Sequence, residues 1–115
     1  MKTSNFFDYK GENGVSIAGG APDWFTGRQY KKLAPKYWFF KKYKDGEFNR
    51  ADYTFHYIIE VLDKLDAKQV YEELGEDAVL LCWERSEPDF FCHRSLVAAW
   101  FKDRLGVDVD ELETK

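Results

Sequence analysis

The sequence contains little sulfur and no long hydrophobic run, and each scarcity excludes a class of protein. Two cysteines in 115 residues do not make a disulfide framework, and a chain of this length can bury a core without one. No apolar run approaches the roughly 20 residues that a membrane-spanning helix needs. The N-terminal segment has no long apolar stretch, so we predict no signal peptide, a cytoplasmic location and two free thiols.

Aromatic and charged residues are abundant. Aromatic residues make up 18% of the chain, and charged residues make up 33%. This composition is typical of a globular protein whose core is built largely from aromatic rings. The length is close to that of one domain, and the chain has no repeat, low-complexity tract or linker. We therefore predict a single domain over residues 1–115.

Positive charge is concentrated in one segment, although the net charge is −4. Between Trp24 and Lys44 the chain has seven basic residues and no acidic one. This asymmetry permits an anionic partner, either a small molecule or a nucleic acid. The alternative is a solvated helix face on which lysine stems lie over aromatic rings. The basic residues are Arg28, Lys31, Lys32, Lys36, Lys41, Lys42 and Lys44.

Short apolar segments alternate with segments of helical periodicity, which is typical of a sheet with helices packed on it. Residues 78–83 are apolar on both faces, as in a central strand that is covered on both sides. We predict an α/β fold, a small three-layer domain with a mostly parallel central sheet and helices on both faces. Strands are expected at 3–7, 15–18, 77–84 and 107–109, and helices at 35–43, 50–65, 67–74 and 92–105.

Ligands of parallel sheets bind beyond the carboxyl ends of the strands. Two predicted loops lie there, Gly19–Trp24 and Glu84–Phe91. The first begins with Gly19 and Gly20, which allow a sharp turn or a close approach of the backbone to a ligand. If the two strands are parallel neighbours, both loops open on the same edge of the sheet, and this edge is the predicted site.

Five chemically versatile residues are predicted to meet at this edge. Cys82 ends the central strand, and Glu84 follows two residues later on the same face. Cys92, His93 and Arg94 open the last helix, where unpaired N–H groups favour anions and thiolates. A cysteine in such a position is more acidic than a free thiol. An arginine there can bind phosphate or carboxylate through two parallel hydrogen bonds.

Four interpretations of this cluster remain open. It is a pocket for an anion, in which the cysteines only pack. Or it is a thiol active site with Cys92 as nucleophile and His93 or Glu84 as the proton-transfer partner. Or Cys82, Cys92 and His93, with His56 as a further ligand, hold a metal, although the spacing lacks the paired ligands of ordinary zinc sites. The fourth interpretation is structural, with buried thiols and an Arg94–Glu84 ion pair that fixes the loop to the helix.

The two cysteine segments also carry a family resemblance. The stretch 79–84, with Leu-Leu-Cys-x-Glu, and the stretch 91–98, with Cys-His-Arg, resemble the signature of the domain-of-unknown-function 488 family. Further similarity extends over residues 3–6, 15–18, 24–35 and 71–74. The resemblance implies a small three-layer α/β fold of bacterial or phage origin. It implies no activity. The family motif falls on the five cluster residues and, more loosely, on Ser16, Arg28 and Lys32.

Together these observations predict an anion-binding or thiol-dependent enzymatic site for a phosphate- or nucleotide-type small molecule. The alternatives are a nucleic-acid-binding module without catalysis and a structural or regulatory interaction protein. We expect no cofactor, no resident metal and no membrane partner. The predicted catalytic residues are Cys92, His93 and Glu84, and the predicted ligand-binding residues are Arg94, Cys82, Ser16, Gly19, Gly20, Arg28 and Lys32.

Overall fold

A computed structural model of the protein describes residues 1–112 and shows a five-stranded sheet. All neighbouring strands are parallel, in the order β3-β2-β4-β1-β5. The fourth strand along the chain is therefore the central one, and its carboxyl end lies between those of its two neighbours. The strands are β1 (Lys2–Asn5), β2 (Gly14–Ser16), β3 (Arg28–Gln29), β4 (Val79–Cys82) and β5 (Asp110–Glu111).

Four α-helices and two short 3₁₀ turns connect these strands. The helices are α1 (Tyr37–Lys44), α2 (Arg50–Glu60), α3 (Ala67–Leu74) and α4 (His93–Leu105), and the 3₁₀ turns span Lys31–Leu33 and Leu62–Lys64. Within residues 1–112, no helix is both long and apolar enough to cross a membrane.

Local sequence signals set most of the helix ends. The Asn49 side chain accepts a hydrogen bond from the Asp52 backbone N–H, and the Asp52 side chain accepts one from the Asn49 N–H. This capping box satisfies two backbone donors that would otherwise lack partners at the start of α2. At the start of α3 the Asp66 side chain accepts hydrogen bonds from the Lys68 and Gln69 backbone N–H groups, without a reciprocal bond from residue 69. Gly75 and Gly106 end α3 and α4 with φ of 91° and 67°, a conformation that favours glycine.

Side chains of the central strand alternate between two hydrophobic cores. Leu80 packs into the larger core, to which all four helices contribute. Val79 and Leu81 point to the opposite face and pack into a smaller core with Phe6 and Cys92. This second face is covered mainly by connecting segments and their aromatic rings. Since both faces are covered, β4 is buried along its whole length.

The predicted α/β class with a parallel sheet in a three-layer arrangement is confirmed. The differences lie in the element ends. The helix predicted over 50–65 stops at Glu60, and a 3₁₀ turn follows it. The edge strand predicted at 107–109 forms at Asp110–Glu111. Strand β3 was not predicted, because two exposed residues carry no alternating pattern. The assignment of residues 1–115 to a single domain stays a prediction.

The burial of Leu80 gives a quantitative test of the core. Leu80→Ala removes a side chain that is fully buried in the central strand, so we expect the free energy of unfolding in urea to fall by about 3 kcal/mol. Ile58→Ala removes a similar volume from a side chain that is 39% exposed, and we expect a loss below about 1 kcal/mol. Equal losses for the two variants would contradict the assignment of Leu80 to the core.

Candidate functional site

The two cysteines meet at the carboxyl end of the central strand. Cys82 is the last residue of β4 and lies in register with Asn5, the last residue of β1. Cys92 is the N-cap residue of α4. Their sulfur atoms are joined in a disulfide, and both residues are buried. The prediction of two free thiols is therefore wrong for this state, since the loop of 83–91 returns the chain to the strand end.

Arg94 is the most constrained polar side chain of the cluster. It is 0% exposed, and each of its five N–H groups is directed at a protein atom. Nη1 donates to the Cys82 Sγ at 3.1 Å and to the Glu84 carbonyl at 2.8 Å. Nε and Nη2 donate to the two carboxylate oxygens of Glu111, each at 3.0 Å, and Nη2 also donates to the Ser86 hydroxyl. The guanidinium carbon lies 4.3 Å from the centre of the Phe90 ring.

A second layer of polar side chains surrounds this arginine. Glu111 accepts hydrogen bonds from the Thr3 hydroxyl at 2.7 Å and from the Ser86 hydroxyl. Asn5 is fully buried and donates to Ser86 at 3.0 Å. The network therefore joins the carboxyl-end regions of β1, β4 and β5 to the loop before α4. A buried charge is tolerated when it is paired and fully hydrogen-bonded, as Arg94 is here.

The Glu111 carboxyl is held in its charged form. Burial alone raises its pKa, but the hydrogen bonds from Arg94, Ser86 and Thr3 outweigh burial, so its pKa lies below the ordinary value for glutamate. The carboxylate consequently balances the guanidinium charge at neutral pH.

His93 is a neutral, oriented imidazole. Burial lowers its pKa to about 4, against the opposing effect of its hydrogen bond to the Ile17 carbonyl. That bond is 2.7 Å long and uses Nε2. Because a carbonyl only accepts hydrogen bonds, the proton of the neutral ring lies on Nε2 and the lone pair lies on Nδ1. Nδ1 is 3.6 Å from the Cys92 sulfur, so the basic nitrogen faces a thiol position.

A cleft of about 510 Å³ opens over the two cysteines and His93. Its other walls are mainly aromatic side chains of α1, α2 and the loop before α4, together with the Gly19–Gly20 segment. Lys44 and Glu84 also line it and form an ion pair at 3.3 Å. The aromatic wall residues are Tyr37, Phe40, Tyr43, Tyr53, Trp83 and Phe91.

The glycine loop is tied to the strand end by a tryptophan. The Trp83 indole N–H donates to the Gly20 carbonyl at 2.7 Å. A Cβ atom placed on Gly19 or Gly20 meets nothing within 4 Å, and neither glycine has a positive φ. Neither position requires glycine for its backbone conformation. The absence of side chains at Gly19 and Gly20 instead leaves open space at the cleft.

The structure gathers most of the predicted catalytic and ligand-binding residues at this cleft. Its lining includes all three predicted catalytic residues and three of the predicted ligand-binding residues, namely Cys92, His93, Glu84, Cys82, Gly19 and Gly20. Arg94 lies directly behind Cys82 and does not line the cleft. The Arg94 side chain pairs with the Glu111 carboxylate and meets Glu84 only at its backbone carbonyl.

The other three predicted ligand-binding residues lie elsewhere. Ser16 is buried and accepts a hydrogen bond from the Ala18 backbone N–H. Arg28 donates to the backbone carbonyls of Glu73 and Leu74 at the end of α3, and it lines a smaller cleft with residues 12–15 and 74–78. Lys32 forms an ion pair with Glu73 at 3.4 Å. The structure therefore does not bring these residues to the cysteine cleft.

The basic segment is largely paired. Five of its lysines lie within 4 Å of carboxylates. These ion pairs reduce the positive field that the sequence alone suggests. They join Lys32 to Glu73, Lys36 to Glu60, Lys41 to Asp45, Lys42 to Glu47 and Lys44 to Glu84.

Three soft or borderline metal-binding atoms lie close together. The Cys82 Sγ, the Cys92 Sγ and a ring nitrogen of His93 are all within 4.8 Å of one another. His56, the further ligand considered from the sequence, is not part of this group. Its Nδ1 contacts Glu60 at 3.0 Å, and its ring stacks on Phe48.

Sequence reasoning missed Glu111, Asn5, Thr3 and Ser86 as partners of the cluster. Each lies in an unremarkable polar context, and none lies within five residues of Cys82, Cys92 or Arg94 except Ser86. A buried arginine requires a carboxylate partner, but the chain has 21 acidic residues, and the sequence does not distinguish which of them meets Arg94. Only the placement of β5 beside β1 selects Glu111.

The chain matches one protein family over most of its length. The profile of DUF488-N3a, described as the active DUF488-N3 subclade, matches residues 12–105. The matched range contains both cysteines, His93 and Arg94 but excludes β1 and β5. No curated protein and no solved structure matches the chain.

The buried Arg94–Glu111 pair predicts a pH-dependent stability. Glu111→Gln leaves the guanidinium without its carboxylate, so we expect the free energy of unfolding at neutral pH to fall by about 3 kcal/mol. The pKa of Glu111 is lowered in the folded protein, so its contribution is present at neutral pH and is lost as the pH falls through that pKa. The difference between the two proteins should therefore narrow in acid, as measured by urea unfolding across the pH range.

The neighbouring residue supplies the matched control. Asp110 forms an exposed pair with Lys2 at 3.6 Å, and Asp110→Asn should change the unfolding free energy by less than about 1 kcal/mol. A Glu111→Gln variant as stable as Asp110→Asn would show that Arg94 does not depend on this carboxylate.

Proposed function

The chain belongs to the DUF488-N3a family, and from this premise we propose that it is a thiol–disulfide oxidoreductase acting on small molecules. One observation carries the proposal. The two cysteines are close enough to bond at the floor of a cleft, with a guanidinium donating to one sulfur and a neutral imidazole facing the other. The family is described as an active subclade, which also favours catalysis.

Cys82 is the proposed nucleophile of the reduced protein. Arg94 donates a hydrogen bond to its sulfur, and a neighbouring cation favours the thiolate, which is the reactive form. The guanidinium is locked by Glu111 and Ser86, so its position does not have to be established when substrate binds. This assignment shifts the nucleophile from Cys92, which the sequence favoured, to the residue that the arginine contacts.

Cys92 is the proposed resolving thiol. The His93 Nδ1 carries a lone pair directed at Cys92 and orients its thiol by accepting a hydrogen bond from the S–H. As the sulfur attacks, the thiol proton passes to the expelled thiolate. His93 keeps this tautomer because Nε2 donates to the Ile17 carbonyl. Glu84 is paired with Lys44 at the cleft wall, so we assign it to substrate positioning.

The proposed reaction has two exchange steps. The Cys82 thiolate attacks one sulfur of a small disulfide, forms a mixed disulfide and expels the first product thiolate. Cys92 then attacks the Cys82 sulfur, forms the Cys82–Cys92 disulfide and expels the second thiolate. Two electrons pass from the protein to the substrate. An external dithiol reverses the change in the protein by reducing its disulfide and becoming a disulfide itself.

The predicted cytoplasmic location agrees with this proposal. In reducing compartments, protein disulfides are usually transient and catalytic or redox-sensing. A cytoplasmic dithiol would return the pair to its reduced form. The aromatic walls of the cleft favour a substrate with a planar or apolar body, because flat rings stack on such side chains.

The anion-binding and nucleic-acid-binding interpretations stay predictions. Arg94 is occupied by protein acceptors, and the lysines of the basic segment are largely paired with carboxylates. The arrangement at the cysteines favours sulfur chemistry over phosphate binding. We therefore offer no second function.

Turnover with a dithiol tests the proposal directly. Purified protein with excess dithiothreitol and an aromatic disulfide, dithiobis(nitrobenzoate), should release the coloured thiolate faster than dithiothreitol alone. Cys82→Ser should abolish the acceleration, because it removes the nucleophile that Arg94 contacts. Acceleration that survives this substitution would refute the proposed cycle.

A single-turnover experiment separates the roles of the two cysteines. Reduced Cys92→Ser should release one thiolate and retain a mixed disulfide at Cys82, detected by mass spectrometry. Its rate should stay high below about pH 8, where an ordinary thiol is largely protonated. Cys82→Ser should react at least about tenfold more slowly at pH 7, because its remaining sulfur lacks the arginine contact. Equal rates of thiolate release from the two variants would contradict the assignment of Cys82 as the nucleophile.

A further inference from the structure

We propose that reduction of the Cys82–Cys92 disulfide creates a binding site for a thiophilic divalent ion of the zinc class, with His93 as its third ligand. The inference concerns ion binding and does not rest on the proposed turnover. It requires only that the disulfide can be opened. Nothing else in residues 1–112 places three such ligand atoms together in a buried position.

The geometry around His93 is already that of a metal ligand. Bond lengths of about 2.3 Å to sulfur and 2.0–2.1 Å to nitrogen place two ligands of a tetrahedral zinc ion roughly 3.5 Å apart. The His93 Nδ1 and Cys92 Sγ are 3.6 Å apart. The opposite nitrogen, Nε2, donates to the Ile17 carbonyl at 2.7 Å. Such a bond fixes the tautomer and directs the free lone pair at the ion, as outer partners do in known metal sites.

The position of the two cysteines allows their sulfurs to separate once the bond is broken. A tetrahedral zinc ion holds two thiolates roughly 3.8 Å apart. The Cα atoms of Cys82 and Cys92 lie 7.6 Å apart, wider than the ~4.4–6.8 Å usual for a disulfide. This wide separation leaves space between the two side chains for an ion once the bond is broken.

Charge and access also suit a bound ion. Two thiolates balance a divalent cation, while Arg94 donates to the Cys82 sulfur and fixes its direction. All three ligand residues line the cleft of about 510 Å³. The protein therefore supplies three ligands and leaves the fourth position to water or to a molecule in the cleft, the arrangement of catalytic rather than structural zinc sites.

Oxidation and ion binding exclude each other at this site. A dithiol reductant supplies two electrons and two protons to break the S–S bond, and it leaves as a disulfide. The ion then binds both sulfurs as thiolates, and any proton still bound to a sulfur passes to solvent. The same two sulfurs cannot be bonded to each other and ligate the ion as thiolates, so affinity for the ion depends on the redox state of the pair.

Metal titration of the reduced and oxidised protein tests the inference. With Co²⁺ as a spectroscopic probe, reduced protein under anaerobic conditions should bind one ion and develop thiolate-to-cobalt charge-transfer absorption with tetrahedral visible bands. Zn²⁺ should displace the Co²⁺ and abolish these bands. Oxidised protein should develop neither. Equal binding by the two redox states, or no one-to-one binding by the reduced protein, would overturn the proposal.

Variants identify the ligands. Cys82→Ser, Cys92→Ser and His93→Gln should each weaken binding by more than about 100-fold, since loss of an outer partner alone costs about 10–100-fold. His56→Gln changes the chain's other histidine, which lies outside the cluster, and should leave binding unchanged. Unaltered affinity in Cys92→Ser or His93→Gln, with the far-ultraviolet circular dichroism of the native protein, would show that the ion binds elsewhere.

A measurement on the unaltered chain guards against variants that fail to fold. Reduced wild-type protein is treated with iodoacetamide with and without one equivalent of Zn²⁺, and each cysteine is analysed by mass spectrometry. Both Cys82 and Cys92 should be protected by Zn²⁺ at least tenfold in rate. Unchanged alkylation of either cysteine would refute its role as a ligand, whatever the result of the turnover experiments.

Discussion

The buried guanidinium of Arg94 is the constraint on which the rest of the site depends. Removing a charge from water costs several kcal/mol, and the cost is offset only if every donor finds an acceptor and a counter-charge lies close by. Here the acceptors come from β4, β5 and the loop before α4. Satisfying one side chain therefore fixes the relative positions of three segments that are distant along the chain.

That constraint determines where the two sulfurs stand. The arginine follows Cys92 by two residues on α4 and donates to Cys82 at the end of β4. It thereby holds the start of the helix against the end of the central strand. His93, between the cysteine and the arginine, is turned toward Ile17 and presents its unprotonated nitrogen to Cys92. Three consecutive residues thus supply a thiol, an imidazole lone pair and a cation. Cys92 and Arg94 contact Cys82 of β4, Arg94 also contacts Glu111 of β5, and His93 contacts Ile17, just after β2.

The aromatic walls of the cleft strengthen the charge interactions of the polar groups at its floor. Its walls are mainly aromatic, and the reactive atoms form a small polar area at the floor. In such surroundings charge interactions are screened less than in water, so the contact between Arg94 and Cys82 has a larger effect on the sulfur. The ion pair of Lys44 and Glu84 keeps charges at the wall without leaving either one unpaired. The proposed redox exchange and the proposed ion binding both begin from the reduced sulfur pair, and formation of the S–S bond removes the free thiols that each of them needs.

Sequence alone determined the α/β class, the central strand and the edge of the sheet on which the cysteines lie, because these follow from local periodicity, caps and the alternation of side chains. Gly75, Gly106 and Asn49 marked helix ends correctly for the same reason. Tertiary structure decided which groups touch. The selection of Glu111 for Arg94, the bonding of Cys82 to Cys92 and the removal of Arg28 and Lys32 from the cleft depend on strand order and loop path. Contacts between residues far apart in sequence are set by how the whole core packs, and no short segment encodes them.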